Sequence, residues 1–141
     1  MMLKRLFFLS ILSVLLLSAC NSNDELSGKI FDVSVISGPN EPDKYSPIMT
    51  LEFSDGNKVK NKMGYEEGMY ELKDDKLVIQ FENENEYLEI EFTLEESDNE
   101  FSEYSAEISD SKLKIDDSSL VSKLKGFYEK IHRSHFEFIE V

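Results

Sequence analysis

The chain has 141 residues, 29 of them acidic and 15 basic, which gives a formal charge of −14 at neutral pH. This excess of negative charge disfavours binding to nucleic acid and to anionic lipid head groups, and it favours cationic partners such as basic proteins or peptides. Acidity can also serve only to keep a protein soluble. The single cysteine, Cys20, excludes an intramolecular disulfide, and the length of the chain suits one domain.

The first twenty residues have the pattern of a secretory leader. Lys4 and Arg5 precede an apolar run at residues 6–17. That run is shorter than the roughly 17 to 25 residues of a membrane-spanning helix, and it has the length of the hydrophobic region of a signal peptide that is removed. The run ends in the tetrapeptide Leu17-Ser18-Ala19-Cys20.

This tetrapeptide resembles the lipobox of bacterial lipoproteins. The resemblance implies signal cleavage between Ala19 and Cys20 and a diacylglycerol on the Cys20 sulfur, whose two acyl chains give durable attachment to a membrane. It also implies a lipid-anchored location on the extracytoplasmic face of the cell membrane, and the composition is similar to that of small lipoproteins of Gram-positive bacteria. The alternative is an ordinary secreted protein cut after Ala19. We therefore expect a signal peptide at residues 1–19, a lipidated cysteine with a short tether at 20–27, and a single β-rich domain at 28–141.

Apolar and polar residues alternate through most of the sequence after Gly28. A period of two residues is typical of strands with one buried face, and the short spacing of the turn residues favours an antiparallel meander. The alternating apolar sets are Phe31/Val33/Val35, Met49/Leu51/Phe53, Tyr70/Leu72, Leu77/Ile79/Phe81, Leu88/Ile90/Phe92/Leu94 and Tyr104/Ala106/Ile108.

Turn positions follow from the requirement that apolar residues meet on one face of the sheet. Two-residue turns at residues 74–75 and 84–85 satisfy it, because they place Leu72 opposite Leu77 and Leu77 opposite Phe92. The turn between Phe53 and Val59 does not fit a two-residue loop.

Between Phe53 and Val59, a two-residue turn would put apolar residues on opposite faces. We therefore expect a three-residue loop at residues 54–56, with Gly56 in the left-handed conformation, a bulge, and Leu51 opposite Val59.

A nine-residue pattern occurs twice, at residues 71–79 and 107–115, with five of the nine positions identical. Two copies are too few for a repeat protein, and shared hairpin chemistry explains them. By analogy with residues 74–75, we expect a second two-residue turn at Asp110-Ser111.

The period of the apolar residues then changes to that of a helix. Residues 117–119 are candidate N-cap residues, and cationic side chains at its far end suit the helix dipole. Residues 136–141 return to a strand pattern that could pair with a sheet edge. The apolar helix positions are Leu120, Val121, Leu124, Phe127, Tyr128 and Ile131.

These elements predict a mainly β fold, in which an antiparallel meander forms a curved sheet or small barrel with one C-terminal α-helix and a final short strand. This order resembles that of lipocalins. The resemblance implies a barrel that encloses an apolar ligand, although the segment from Gly28 to Phe31 lacks the tryptophan of the Gly-x-Trp motif in that family.

The signatures of common enzymes are missing from the sequence: there is no phosphate-binding loop, no Gly-x-Ser-x-Gly and no His-Glu-x-x-His. His132 and His135 could serve a triad or share a metal with Glu129, but exposed histidines near a helix end are the simpler interpretation. Acidic pairs in the turns could bind calcium, yet none has the spacing of an EF-hand loop. We therefore predict no catalytic residue, no metal site and no cofactor.

The sharpest functional hypothesis is an acidic outer face formed by four glutamates on neighbouring strands. It predicts a binding module for a basic protein or peptide, because like charges on adjacent strands are relieved by a cationic partner. A solvated sheet face is the simpler alternative. A lipocalin-like carrier of a small ligand and a hydrolase are the competing functions. The four residues are Glu71, Glu82, Glu89 and Glu91.

Overall fold

A computed structural model of the protein describes residues 24–38, 40–131 and 135–141. The predicted signal peptide, the cleavage site and Cys20 lie outside these residues. The elements are β1 (Ile30–Gly38), β2 (Glu41–Ser54), β3 (Lys58–Asn61), β4 (Glu66–Lys73), β5 (Lys76–Glu82), β6 (Glu86–Glu96), β7 (Tyr104–Ile115), α1 (Lys123–Lys130) and β8 (Phe136–Glu140).

The described strands form a closed antiparallel barrel in which each strand pairs with the next along the chain. Closure depends on β8, which pairs with β7 on one side and with β1 on the other. The predicted fold class, including the late helix and the final strand, is confirmed. The one α-helix of the described residues is too short to span a bilayer.

The two-residue turns at residues 74–75 and 84–85 are confirmed by the strand registers. Leu72 lies opposite Leu77, and Leu77 lies opposite Phe92. Asp74 adopts a φ of 56°, a left-handed conformation that aspartate tolerates better than most residues. Side-chain alternation alone therefore predicted this part of the sheet.

The loop between β2 and β3 has the predicted length of three residues, but it lies one position later, at residues 55–57. Phe53 is opposite Val59, so the predicted pairing of Leu51 with Val59 is wrong, and Leu51 faces Asn61 instead. Gly56 (φ 76°) and Asn57 (φ 59°) both adopt left-handed conformations. The β2–β3 register runs without a shift, so the predicted bulge is absent from this ladder.

The predicted turn at Asp110-Ser111 is wrong, because β7 continues through it. Strand β6 is long enough to pair with β7 on both sides of this point. The local irregularity is a single register shift, where Glu91 is opposite Asp110 and the next residue, Phe92, is opposite Ile108. One extra residue on β7 is thus absorbed as a bulge, and the strand goes on.

Helix α1 starts later than predicted. Its N-cap is Ser122, whose side chain accepts a hydrogen bond from the Lys125 amide. Asp117 instead belongs to a turn, where its amide donates to Asn85 Oδ1 over 2.8 Å. Leu124 is buried, as predicted for the apolar face, whereas Leu120 and Val121 precede the helix and are exposed.

The interior of the barrel is filled by side chains, as is common for eight strands. Aromatic rings pack there among aliphatic side chains, and several meet edge to face, such as Phe92 with Phe138 at a centroid separation of 5.5 Å. The fully buried aromatic residues are Phe31, Phe53, Phe81, Phe92, Phe136 and Phe138.

Candidate functional site

The four predicted glutamates lie on three adjacent strands, on the outer face that alternates with the buried core positions. Glu71 on β4 and Glu91 on β6 both lie opposite Val78 of β5. Glu89 is opposite Gln80, and Glu82 is opposite Tyr87. The four carboxylates therefore share a face, but apolar and neutral side chains separate them.

Two of these glutamates already interact with neighbouring side chains on the outer face of the barrel. Glu89 Oε2 accepts hydrogen bonds from the Tyr87 hydroxyl at 2.5 Å and from Gln80 Nε2 at 3.2 Å. Glu91 Oε1 accepts one from Ser109 Oγ at 2.8 Å and lies 4.0 Å from Lys76 Nζ.

Two lysines of β7 also offset the negative charge of this face. Lys112 is opposite Glu89, and Lys114 is opposite Tyr87. The pKa of Glu89 is held below its ordinary value, first by the hydrogen bond from Tyr87, then by that from Gln80 and by the two lysine charges, against the opposing effect of burial. The same hydrogen bond raises the pKa of Tyr87 to about 12. The face is therefore mixed in charge.

A groove of about 480 Å³ lies on this face, next to the β5–β6 turn. Five carboxylates and two lysines line it. It includes Glu82 and Glu89 of the predicted set but neither Glu71 nor Glu91. We call it the β5–β7 groove. Besides the buried Glu86, its charged side chains are Glu82, Glu84, Glu89, Lys112, Lys114 and Asp116.

Glu82 and Glu84, like Asp116 of the same groove, differ from Glu89 in having no internal partner in the described part of the chain. Both are exposed, and neither forms a hydrogen bond or an ion pair within the described part of the chain. Glu89, in contrast, already has two donors. The charge that remains available to a partner is therefore concentrated at the β5–β6 turn.

Glu86 is a buried carboxylate that the sequence did not reveal. It accepts hydrogen bonds from Asn83 Nδ2 at 2.9 Å, from Ser122 Oγ, and from the Lys123 amide at 3.2 Å at the start of α1. Burial disfavours its charged form, but these donors hold its pKa below the ordinary value. Glu86 thus fixes the helix against the turn that borders the groove.

A second buried carboxylate, Glu137 of β8, was also missed. It alternates with the inward-facing Phe136 and Phe138, so its side chain lies on the outer face of the barrel. Residues 97–103, here called the strap, cover it there. The strap hydrogen bonds to Glu137 come from Ser97 Oγ (3.1 Å), Asn99 Nδ2 (2.7 Å) and Ser102 Oγ (2.8 Å).

Two further donors complete the environment of Glu137. Ser105 Oγ donates over 2.9 Å, and His135 Nε2 lies 2.9 Å from Oε1. Burial opposes ionisation, but the donors, led by His135 and Ser102, hold the pKa of Glu137 below its ordinary value. No short sequence pattern predicts this cluster, because its donors come from residues 32 to 40 positions away and from His135.

His135 therefore serves as a partner of Glu137. His132, the other histidine considered for a triad or a metal, lies outside the described residues. Among the residues that are described, no group of three metal-ligating side chains is close enough to hold an ion. The pocket beside His135 measures only about 50 Å³.

A further groove, of about 590 Å³, lies on the outer surface of strands β2 to β4 and is lined by Glu52, Lys58, Lys60 and Glu67 among others. Its charges are balanced, and Lys60 Nζ lies 3.9 Å from Glu67 Oε1. Both large grooves are thus on the outside of the barrel. No protein-family model, curated protein or solved structure matches the chain.

Proposed function

We propose that this protein is a lipoprotein anchored through Cys20 to the extracytoplasmic face of the cell membrane of a Gram-positive bacterium. In this proposal it is a non-enzymatic binding module whose β5–β7 groove takes a cationic protein or peptide. The lipobox at residues 17–20 supports the anchor. The groove, with five carboxylates against two lysines, supports the partner.

The observation that carries the proposed partner is the unequal engagement of the groove carboxylates. Internal donors already compensate Glu89, whereas Glu82 and Glu84 project from the β5–β6 turn without a partner in the described structure. A lysine or arginine side chain at this turn would relieve their repulsion and add charge-assisted hydrogen bonds.

A small-ligand carrier is the second candidate, because the closed eight-stranded barrel is compatible with it. Such a carrier needs an enclosed apolar cavity. The interior positions, however, are occupied by packed phenylalanine rings, and the two large grooves lie outside. The binding-module proposal is therefore better supported.

The groove is tested by binding of a fluorescent hexalysine peptide to the mature protein in a non-ionic detergent. We expect the double variant Glu82→Gln/Glu84→Gln to raise the Kd about fivefold, since two exposed charge contacts contribute about 1 kcal/mol. Raising the salt concentration should reduce this difference, because exposed charges are screened.

The matched control is Glu95→Gln/Glu96→Gln, which removes the same charge from exposed positions at the other end of β6. It should change the Kd much less than the groove variant. If both double variants weaken binding equally, the peptide responds to net charge alone and the groove is not the site.

The anchor is tested by metabolic labelling with palmitate and by fractionation of the membrane. The wild-type chain should incorporate label and sediment with membranes, whereas Cys20→Ala should do neither. Unlabelled wild-type protein released into the medium would contradict the anchor.

A further inference from the structure

Asp24, the first residue that the structure describes, is fixed to the barrel by hydrogen bonds. Asp24 Oδ1 accepts hydrogen bonds from the amides of Leu26 and Ser27 at 3.0 and 2.9 Å and from the Tyr70 hydroxyl at 3.0 Å. Leu26 is fully buried in the core. Residues 24–27 of the predicted tether (20–27) therefore belong to the folded body, and three residues, 21–23, lie between Cys20 and Asp24 in the sequence.

Residues 24–29 lie at one end of the barrel. The Gly28 amide donates to the Phe53 carbonyl at 2.9 Å, and Ser27 Oγ donates to Asp55 of the β2–β3 loop at 2.8 Å. Glu25 accepts a hydrogen bond from the Tyr104 hydroxyl at 3.0 Å. These contacts fix residues 24–29, and with them the point at which the tether is attached, to this end of the barrel.

The same end contains the β4–β5 turn and the last residues of β6. Glu25 lines a shallow pocket there together with Asp75 and Glu95. The β5–β7 groove lies at the first residues of β6, beside Glu84. The two sites thus mark opposite ends of one strand, and the 11 residues of β6 span about 33 Å along its length.

Four residue steps from Cys20 to Asp24 reach at most about 14 Å. This reach is well below the rise of β6 along the barrel axis, about 25 Å at the strand tilt of about 40° that is typical of barrels. We infer that the anchor holds the barrel upright, with the Asp75/Glu95 end toward the bilayer and the β5–β7 groove toward the aqueous side. The inference depends on the lipid anchor of the proposed function.

This orientation defines the kind of partner that the groove can take. A basic segment at the surface of the same bilayer would meet the Asp75/Glu95 end, whereas the groove is open to a soluble cationic polypeptide. The carboxylates of the membrane-proximal end, among them Glu25, Asp74 and Glu96, are repelled by anionic lipids. The barrel is therefore expected to face the bilayer without inserting into it.

The test uses the lipidated full chain reconstituted into phosphatidylcholine vesicles that contain a head-group nitroxide quencher. Cys20 is the only cysteine, and in the lipidated chain its sulfur is blocked by the thioether to diacylglycerol, so Glu84→Cys and Glu95→Cys each give one thiol for a fluorophore. Both positions are exposed. We expect quenching at position 95 to exceed quenching at position 84 several-fold.

A spacer variant provides the control. A Gly/Ser insert of 12 residues after Asn23 adds an average reach of about 20 Å and should make the two positions quench alike. Equal or reversed quenching with the native tether would overturn the orientation while the anchor stands. A chain that fails to float with the vesicles would overturn the anchor and the orientation together. Partner binding is measured separately in detergent, so its failure is distinguishable from both.

Discussion

Glu137 and Glu86 are buried carboxylates, a type of residue that is rarely buried without partners. Their donors belong to other parts of the chain: the strap for Glu137, and the start of α1 for Glu86. The strand pattern at residues 136–141 carried no prediction for the side chain of Glu137. It could not predict burial, because the covering strap is defined by tertiary structure.

The environment of Glu137 predicts a specific response to acid. Its folded-state pKa lies below the ordinary value of 4.5, so the ionised group stabilises the fold above that value, and this stabilisation is lost as the pH falls through the folded-state pKa. At pH 7, Glu137→Gln should lower the free energy of unfolding by about 2 kcal/mol, because hydrogen bonds to a charged group are lost.

Urea unfolding between pH 7 and pH 3 measures this effect. The gap between wild type and Glu137→Gln should narrow as the pH falls, whereas the exposed Glu140→Gln on the same strand should follow the wild type. A gap that does not depend on pH would show that the charge of Glu137 does not stabilise the fold.

At the level of the element, one sequence pattern forms two structures. Residues 71–79 form a hairpin in which Asp74 has a positive φ, whereas the similar residues 107–115 continue as one strand with a bulge. The difference lies in the partner strand, because β6 extends past the bulge and pairs with Lys112 and Lys114. Local turn chemistry could not reveal this.

That error also limited the prediction of the site. With a turn placed at residues 110–111, Lys112 and Lys114 would belong to a separate strand and not compensate Glu89. The sequence therefore correctly placed the glutamates on one outer face, but it overestimated how acidic their surroundings are.

The β2–β3 loop predicts a contrast between two glycines. Gly56 has a φ of 76° with open space around it, so Gly56→Ala should lower stability by about 1 kcal/mol through backbone strain alone. Gly126 lies inside α1, also with open space around it, and Gly126→Ala should raise stability by up to about 1 kcal/mol.

Thermal unfolding of the two variants provides the comparison, with each serving as the control for the other. Opposite shifts in Tm are expected. A loss of stability in both would mean that the glycine conformations do not determine the effect.

At the scale of the whole molecule, most strands and their meander order followed from the sequence, but the continuity of β7 and the closure of the barrel did not. Closure requires β8 to fit between β1 and β7, and this depends on the tilt and stagger of all the strands together. The filled interior likewise results from how the phenylalanine rings meet, such as Phe92 and Phe136 at 5.7 Å.

A filled interior predicts that the wild-type barrel does not take up an apolar ligand. Titration with a fluorescent fatty acid should give no saturable signal with wild type. Phe92→Ala should open a cavity, lower stability by about 3 to 5 kcal/mol and permit uptake of a small apolar probe such as benzene. Saturable binding of the fatty acid by wild type would instead favour the carrier.

The strap also bears on the resistance of the fold to proteolysis. Strand β8 pairs with β7 over only three residues, the shortest of the barrel ladders, and the strap hydrogen bonds to its outer side. Opening of the barrel at this seam therefore requires the strap to detach first, which slows access of proteases to the closing strand. By slowing this opening, the strap protects a small fold that has no disulfide from proteases that attack transiently unfolded chains.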